Sequence, residues 1–276
     1  MDVGPLRDVL TVLLGTATGI LSGLFGVGGG VISQPGMRLL GLEPLMVIGT
    51  ALPAVLPGAI SGTARYRPEG LIVWRAVAAP VPLGMAAAVG GSLLSEHVPG
   101  EGHLLQLATA ALLGFSAYRM GAAPVPLPPD EPRAESDAQD APTGLAPGRP
   151  EDVPTSRYAL IGLVAGTLSG LLGIGGGVIM VPAFVALARV EVKSAIATSL
   201  VCVGLLALPG TITHVLEGHV DVRVAAALVV GTVPGARLGA ALTIRATDRR
   251  LRVTVATFLG ATAVLYATGE LLALLG

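Results

Sequence analysis

A glycine-dense apolar segment occurs twice in this chain and constrains the fold more than any other feature. The first copy runs from Gly19 to Pro35 and contains Gly-Leu-Phe-Gly-Val-Gly-Gly-Gly-Val-Ile, and the second runs from Gly166 to Pro182. Nine of the first twelve positions are identical at a constant offset of 147 residues. In hydrocarbon, a helix can be interrupted only where protein or a polar cavity covers the unpaired backbone. Matching Gly/Pro breaks in two halves of a chain therefore predict a binding site at the breaks.

The composition indicates a membrane protein. The 276 residues are 52% hydrophobic and only 13% charged, against about 25% charged residues in soluble domains. Apolar runs near 20 residues, the length of a transmembrane helix, recur along the chain. The net charge of −1 and the absence of a basic run argue against a nucleic-acid partner. We therefore predict an all-α polytopic protein whose partners include the lipid bilayer.

The apolar segments divide into two homologous halves. Breaks at 26–30 and 173–177 interrupt each half near its start, and the predicted segments are 8–25, 31–41, 44–64, 72–94 and 103–120, then 157–172, 178–188, 193–213, 221–244 and 250–273. We predict a first transmembrane repeat at 1–120 and a second at 157–276. The acidic stretch 121–156 between them holds nine of the chain's 21 prolines, a composition typical of a disordered linker.

The lengths of the first segments indicate how the halves are oriented. As one helix, residues 8–41 would span about 50 Å, whereas the hydrocarbon core is about 30 Å thick. The break is therefore expected to turn the chain back as a broken or re-entrant pair. Each half then crosses the membrane an odd number of times, and the second half is an inverted repeat of the first.

The distribution of basic residues agrees with inversion. Of the 17 basic residues, the inverted topology places Arg7, Arg38 and Arg223 on one face, Arg237 inside an apolar segment and the other 13 on the opposite face. Four crossings per half would divide the same 16 residues as nine against seven. By the positive-inside rule, the linker is predicted to be cytoplasmic and both termini outside the cell membrane.

The doubled Gly-Leu-x-Gly-[Val/Ile]-Gly-Gly-Gly-Val-Ile-x-x-Pro element and the sequence Gly235-Ala-Arg-Leu-Gly239 resemble the TauE/SafE family. Members of that family are described as sulfite and organosulfonate exporters or permeases of bacterial membranes. The resemblance covers both halves and leaves out the linker. It implies a transporter that exports a small sulfur oxyanion by alternating access. A channel-like pathway, or an uptake permease for another small organic or inorganic anion, is the alternative.

An oxyanion in a low-dielectric site needs hydrogen-bond donors, and the glycine breaks can supply them. Consecutive glycines can turn successive N–H groups into one concavity, and the helix that follows adds its positive N-terminal dipole. The expected binding glycines are those that close each break: Gly28, Gly29, Gly30, Gly175, Gly176 and Gly177. The alternative is that these glycines only allow close helix packing.

Polar side chains near the breaks are the other candidates for substrate binding. Gln34 either contacts substrate or caps a backbone group, and Ser22, Ser33 and Ser169 lie beside the breaks. Thr50 and the pair Thr198 and Ser199 occupy matching positions, where each hydroxyl donates to substrate or bonds the carbonyl four residues earlier. Arg237 is the one charge well inside an apolar segment, so it either attracts the anion or extends to the interface.

The sequence contains no pattern typical of catalysis, and we expect neither an enzyme nor a cofactor. The Gly-Val-Gly-Gly-Gly run lacks the Gly-Lys-[Ser/Thr] ending of a phosphate loop. His214 and His219 are interpreted as solvated loop residues without a neighbouring carboxylate, so no metal site is expected. A membrane anchor that recruits a partner would not explain the duplicated breaks. Plentiful small residues make a homodimer the expected oligomeric state.

Overall fold

The computed structural model describes residues 4–95, 103–122, 153–172 and 176–275, and within these ranges the chain is helical, without strands. A short 3₁₀ turn, Arg67–Glu69, follows the third helix. The helices are α1 (Gly4–Phe25), α2 (Gly30–Leu39), α3 (Pro44–Tyr66), α4 (Arg75–Ala78), α5 (Pro80–Ser95), α6 (His103–Ala122), α7 (Thr155–Leu172), α8 (Gly177–Leu187), α9 (Val192–Leu216), α10 (Val222–Arg245) and α11 (Asp248–Leu275).

Five of these helices are long and apolar enough to cross a membrane: α1, α3, α9, α10 and α11. Their outward faces carry large apolar side chains such as Leu13, Val230 and Leu265, each about 60% exposed. A soluble protein rarely exposes an apolar surface of this extent. The prediction of an all-α, multi-pass membrane protein is therefore confirmed.

The first break turns the chain back along the helix that precedes it. An added Cβ at Gly29 would meet the side chain of Thr18, and one at Gly36 would lie 2.7 Å from Leu14 Cδ2. The α2 helix therefore runs antiparallel to α1. At ~1.5 Å per residue the ten residues of α2 cover about half a membrane thickness. This half-length helix ends at the same end of the bundle as the start of α1.

Small residues allow α1 and α10 to pack closely and in parallel. Three glycines of α1 each face one residue of α10: Gly15 faces Leu228, Gly19 faces Thr232 and Gly23 faces Ala236. Successive contacts are four residues apart on both helices and in the same order, so the helices are parallel. The equivalent helices of the opposite halves, α7 and α5, pack in the same way. There Gly162 faces Pro80 and Gly166 faces Gly84, which are the same positions shifted by 147 and 148 residues.

Equivalent helices of the two halves also contact each other, and they run antiparallel. In the α3–α9 pair, Gly62 faces Leu200 and Ala59 faces Gly204, so one residue number rises as the other falls. The α6–α11 pair follows the same rule, since Gly121 faces Ala256 and Gly114 faces Ala263.

Two partly buried hydrogen bonds tie each half to a loop of the other. The Thr50 hydroxyl accepts a 3.0 Å bond from the backbone N–H of Asp221. The Thr198 hydroxyl accepts a 3.0 Å bond from the backbone N–H of Val73. Thr50 and Thr198 are 148 residues apart, and so are Val73 and Asp221. The two bonds are therefore the same interaction made reciprocally between the halves.

Polar contacts define the two ends of the bundle. The end of the bundle where α1 starts is called the α1 end. There, Arg223 Nη2 lies 2.6 Å from Asp8 Oδ2, and Arg7 Nη2 lies 3.9 Å from Asp221 Oδ2. At the opposite end, called the linker end, Arg75 donates to the Thr155 hydroxyl. The Lys193 ammonium there donates to the carbonyl of Ile244. Residues 123–152, most of the predicted linker, lie outside the described residues.

One predicted apolar segment, 72–94, is not a continuous helix. Residues 71–73 form no helix, and α4 ends at Ala78, before α5 starts at Pro80. Proline has no N–H to donate and its ring clashes with the preceding turn, so it interrupts the helix here. The other described apolar segments begin and end within a few residues of their predicted bounds.

Candidate functional site

The two glycine breaks touch each other in the middle of the protein. An added Cβ at Gly177 would lie 2.5 Å from the Gly26 carbonyl oxygen and 2.6 Å from the carbonyl carbon of Val27. The buried Ser199 hydroxyl of α9 donates a 2.8 Å hydrogen bond to the same Gly26 oxygen. The repeated element of each half is thus held against the other half.

Positive φ angles shape the first break. Gly26 and Gly28 have φ of +66° and +73°, a region that side chains strongly disfavour. Gly29 returns to φ −66° as the N-cap of α2. Adjacent residues of opposite φ sign orient neighbouring N–H groups toward a common concavity, the nest geometry that binds anions.

The first hydrogen bonds of α2 leave donors available at its start. The N–H groups of Ile32 and Ser33 both donate to the Gly29 carbonyl, at 3.2 and 3.0 Å. The N–H groups of Gly30 and Val31 precede these bonds and have no acceptor within the helix. A helix N-terminus with free N–H groups and a positive dipole end favours a bound anion.

The second break repeats this geometry. Gly176 is the N-cap of α8, with φ −61° and ψ −7°. The N–H groups of Ile179 and Met180 donate to its carbonyl at 3.2 and 3.0 Å, the same lengths as in the first break. Gly177 is the buried first residue of α8. Gly175, also predicted to bind substrate, lies outside the described residues.

A cavity of about 40 Å³ lies beside the first break and is lined by both halves. Its polar lining comes from the Gly28 and Gly30 backbone, Gln34 and Ser169, and its apolar lining is Ala51, Leu52, Val55, Val203, Leu206 and Ala207. Val55 is the middle residue of α3, and Val203 lies one residue from the middle of α9. The cavity is therefore halfway along the two helices that cross at the centre, and none of its lining residues is ionisable.

A smaller cavity of about 10 Å³ also adjoins the first break and shares Ala51 and Val55 with the larger one. Four hydroxyl side chains line it: Thr18, Ser22, Ser33 and Thr232. The Ser33 hydroxyl donates to Gly29 O at 3.1 Å, and the Thr232 hydroxyl donates to Gly15 O at 3.2 Å. The buried Thr18 hydroxyl has no hydrogen-bond partner among the described residues. A volume of this size accommodates about one water molecule.

The hydroxyls of Thr50, Thr198 and Ser199 do not line either cavity. All three are fully buried, and each bonds backbone of the opposite half as described above. These contacts differ from a bond to the carbonyl four residues earlier, because they join the two halves of the chain. Donation by these hydroxyls to substrate stays a prediction.

Arg237 lies away from the cavities. Gly235 and Gly239 on either side of it face α1, whereas Arg237 itself is exposed. The structure therefore brings Gly28, Gly30 and Gln34 together, keeps Gly29, Gly176 and Gly177 beside them, and separates Arg237 from this group.

Several lining residues were not identified from the sequence. The apolar lining residues of α3 and α9 have no polar group that would mark them as binding residues. Ala51 and Val55 nevertheless follow the predicted Thr50 by one and five positions, and Val203 follows Thr198 by five. Thr18 and Thr232 could have been noticed as polar residues inside apolar segments. Their convergence depends on the α1–α10 contact, which a single sequence does not reveal.

The expectation that His214 and His219 lack a carboxylate neighbour is wrong. The Glu217 carboxylate lies 3.0 Å from His219 Nδ1 and 3.9 Å from His214 Nδ1. The left-handed Gly218, with φ +74°, folds the end of α9 back so that His219 N–H donates to the carbonyl of His214 at 2.9 Å.

The chain matches the family model described as sulfite exporter TauE/SafE over residues 11–266. The chain belongs to the TauE/SafE family. The match spans both halves and the linker between them. It confirms the resemblance noted from the doubled glycine element.

Curated relatives of this TauE/SafE member are described as probable membrane transporter proteins. YunE of Bacillus subtilis is 28% identical over an alignment of 253 residues that covers 85% of this chain and 88% of that protein. A relative in Xylella fastidiosa is 28% identical over 240 residues, covering 86% and 85%. A relative in Methanocaldococcus jannaschii is 24% identical over 268 residues, covering 91% and 92%. The chain is therefore a multi-pass membrane transporter.

Proposed function

We propose that this TauE/SafE member exports a small sulfur oxyanion, with sulfite preferred over larger organosulfonates, and binds it in the cavity beside the first break. The observation that carries the proposal is the position of this cavity. It lies at the middle of α3 and α9, is lined by both halves, and adjoins the N-terminus of α2.

Neutral donors suit a substrate that must be released again. The cavity offers the Gly28 and Gly30 backbone, the Gln34 amide and the Ser169 hydroxyl, and no lysine or arginine. Hydrogen bonds from neutral donors to a charged group contribute about 1.5–3 kcal/mol each. A few such bonds and a helix dipole compensate for the anion's lost hydration without the deep binding that a buried salt bridge would give.

The size of the cavity favours a compact anion. At about 10–15 Å³ per water molecule, a cavity of about 40 Å³ holds about three waters. This is close to the space needed by sulfite, which has four heavy atoms. An organosulfonate carries a carbon chain in addition and would require α3 and α9 to separate.

We propose that the halves form an inverted repeat. The antiparallel packing of α3 with α9, and of α6 with α11, supports this, because equivalent helices of parallel repeats would run in the same direction. The reciprocal Thr50–Asp221 and Thr198–Val73 hydrogen bonds support a two-fold relation. Inverted repeats around a central site are a common architecture for alternating access, which we propose as the mechanism.

The ends of the bundle suggest an orientation. The linker end carries Arg75, Lys193 and Arg245 among its basic residues, whereas the α1 end carries Arg7, Arg38 and Arg223. Following the positive-inside rule, we place the linker in the cytoplasm and the termini outside the inner or plasma membrane. A homodimer remains a prediction from the plentiful small residues.

Tracer efflux from proteoliposomes tests the substrate and the cavity together. We expect sulfite efflux from wild type, and a KM about 10- to 100-fold higher in Gln34→Leu, because the loss of one hydrogen bond to an anion costs about 1.5–3 kcal/mol. Ser169→Ala should also raise the KM for sulfite. Ser156→Ala, which alters an exposed serine, is the matched control and should behave as wild type.

Each result has a defined meaning when size-exclusion profiles show that the variants are folded. An unchanged KM in both lining variants contradicts binding in this cavity. Wild-type vesicles that move no sulfite but do move another anion contradict the substrate and retain the transporter. Acceleration of efflux by sulfite on the opposite side identifies a carrier, and its absence supports the channel-like alternative.

A further inference from the structure

The turn after α9 brings three metal-ligating side chains together at the α1 end of the bundle. His214, Glu217 and His219 each present one ligand atom, and these atoms all lie within 4.8 Å of one another. One carboxylate oxygen, Glu217 Oε2, lies 3.0 Å from His219 Nδ1 and 3.9 Å from His214 Nδ1. The ring centroids are 5.9 Å apart.

The backbone holds this trio in place before any ligand binds. The N–H groups of Glu217 and His219 donate to the carbonyls of Thr213 and His214, at 3.0 and 2.9 Å. Gly218 supplies the left-handed φ of +74° that this turn requires. Such a fixed turn means that little chain entropy is lost when a ligand joins the three side chains.

One nitrogen of the trio is buried without a partner. His214 Nδ1 is inaccessible to solvent and makes no hydrogen bond among the described residues, although the residue as a whole is partly exposed. A buried polar atom without a partner costs about 1–3 kcal/mol. A cation between His214 and the Glu217 carboxylate would satisfy this nitrogen.

From this geometry we propose that His214, Glu217 and His219 bind a divalent transition metal of the Zn²⁺ class. Two imidazoles and one carboxylate are a common ligand set for Zn²⁺, with metal–ligand distances of about 2.0–2.2 Å. Tetrahedral ligands at these distances are about 3.4 Å apart, and the contacts at 3.0 and 3.9 Å lie on either side of that value. The fourth position is open to water, because Glu217 and His219 remain partly exposed.

The site belongs to one half only. The positions 148 residues earlier are Tyr66, Glu69 and Leu71, so the carboxylate is repeated and the imidazoles are not. The two histidines also contact α3, because the His219 carbonyl and His214 Cβ pack against Gly49. The proposed metal therefore fixes the α9–α10 turn against one of the helices that line the central cavity.

Titration of the metal-free full chain, purified without a histidine tag, tests this proposal. We expect wild type to bind one Co²⁺ with intense visible absorption typical of tetrahedral coordination, and Zn²⁺ to displace it. His219→Ala and Glu217→Gln should weaken binding at least about 100-fold, which exceeds most losses caused by removing a group that only orients a ligand. His103→Ala, which removes a histidine outside the trio, should bind as wild type.

A thermal readout separates metal binding from misfolding. Zn²⁺ should raise the melting temperature of wild type and His103→Ala but leave His219→Ala unchanged, with all three melting together in chelator. Equal Co²⁺ affinity in wild type and His219→Ala overturns the proposal. The absence of saturable binding in wild type also overturns it. Neither measurement involves sulfite transport, so each proposal can be contradicted without affecting the other.

Discussion

The helices that follow the two glycine breaks start with the same backbone geometry in very different surroundings. Both N-cap glycines accept paired bonds of 3.2 and 3.0 Å from the following turn. The helix after the first break then presents Ser33 and Gln34 and ends at Leu39, which is 90% exposed. The helix after the second break has Met180 and Val181 at those positions, and both are buried in the core.

The difference indicates how a duplicated element can divide its roles. The start of α8 is closely packed, with the Phe184 ring centroid 6.3 Å from that of Tyr158, and the second copy lines the larger cavity through Ser169 alone among its described residues. The first copy lines both cavities. We therefore expect the first break to contact substrate through side chains and backbone, and the second to act as the firm surface against which the first is held.

The largest effect is expected where the two breaks touch. A methyl group in Gly177→Ala would overlap backbone atoms of Gly26 and Val27, which cannot move as a flexible side chain does. Overpacking of this kind costs about 1–3 kcal/mol, and separation of the breaks should abolish transport. Gly176→Ala is the matched control, because its nearest neighbour would be the Ala165 carbonyl at 3.2 Å. Equal melting temperatures for the two variants would contradict the close contact between the breaks.

A smaller effect is expected from the hydroxyl that only one half has. Ser199→Ala removes the donor to the Gly26 carbonyl and should lower the free energy of unfolding by about 1–2 kcal/mol. The equivalent position of the first half is Ala51, which lines both cavities. Ala51→Ser should therefore change the KM for sulfite while the melting temperature stays close to that of wild type. The comparison fails if Ala51→Ser destabilises the protein as much as Ser199→Ala does.

The smallest effect is expected at Arg237. This side chain is exposed on α10 and lines neither cavity, so Arg237→Gln should change the KM for sulfite by less than about twofold, or about 0.4 kcal/mol. Gly235→Ala, two residues away, is the contrasting variant because a methyl group there would meet the α1 backbone near Gly19. A large rise in KM for Arg237→Gln would instead support the hypothesis that this arginine attracts the anion.

Local features of the fold were predictable, and long-range contacts were not. The breaks at Gly26–Gly30 and around Gly176, and most helix bounds, follow from glycine, proline and apolar patterning. The interruption at Pro80 was missed although its signal, a proline inside an apolar run, was available. The α1–α10 pairing and the Ser199–Gly26 bond join residues more than 170 positions apart. Helices that are apolar all round, such as α9, carry no periodic stripe that identifies their partner.

The reciprocal threonine bonds have a consequence for the order of assembly. The Val73 N–H belongs to the first half, yet its acceptor on Thr198 is synthesised 125 residues later. At about 5–20 residues per second, that interval lasts roughly 6–25 s. During this time the first half holds an unpaired backbone donor, which costs about 1–3 kcal/mol once it is buried. The first half therefore lacks this acceptor until α9 is made, and the reciprocal bond forms later still, because Asp221 follows α9 in the chain.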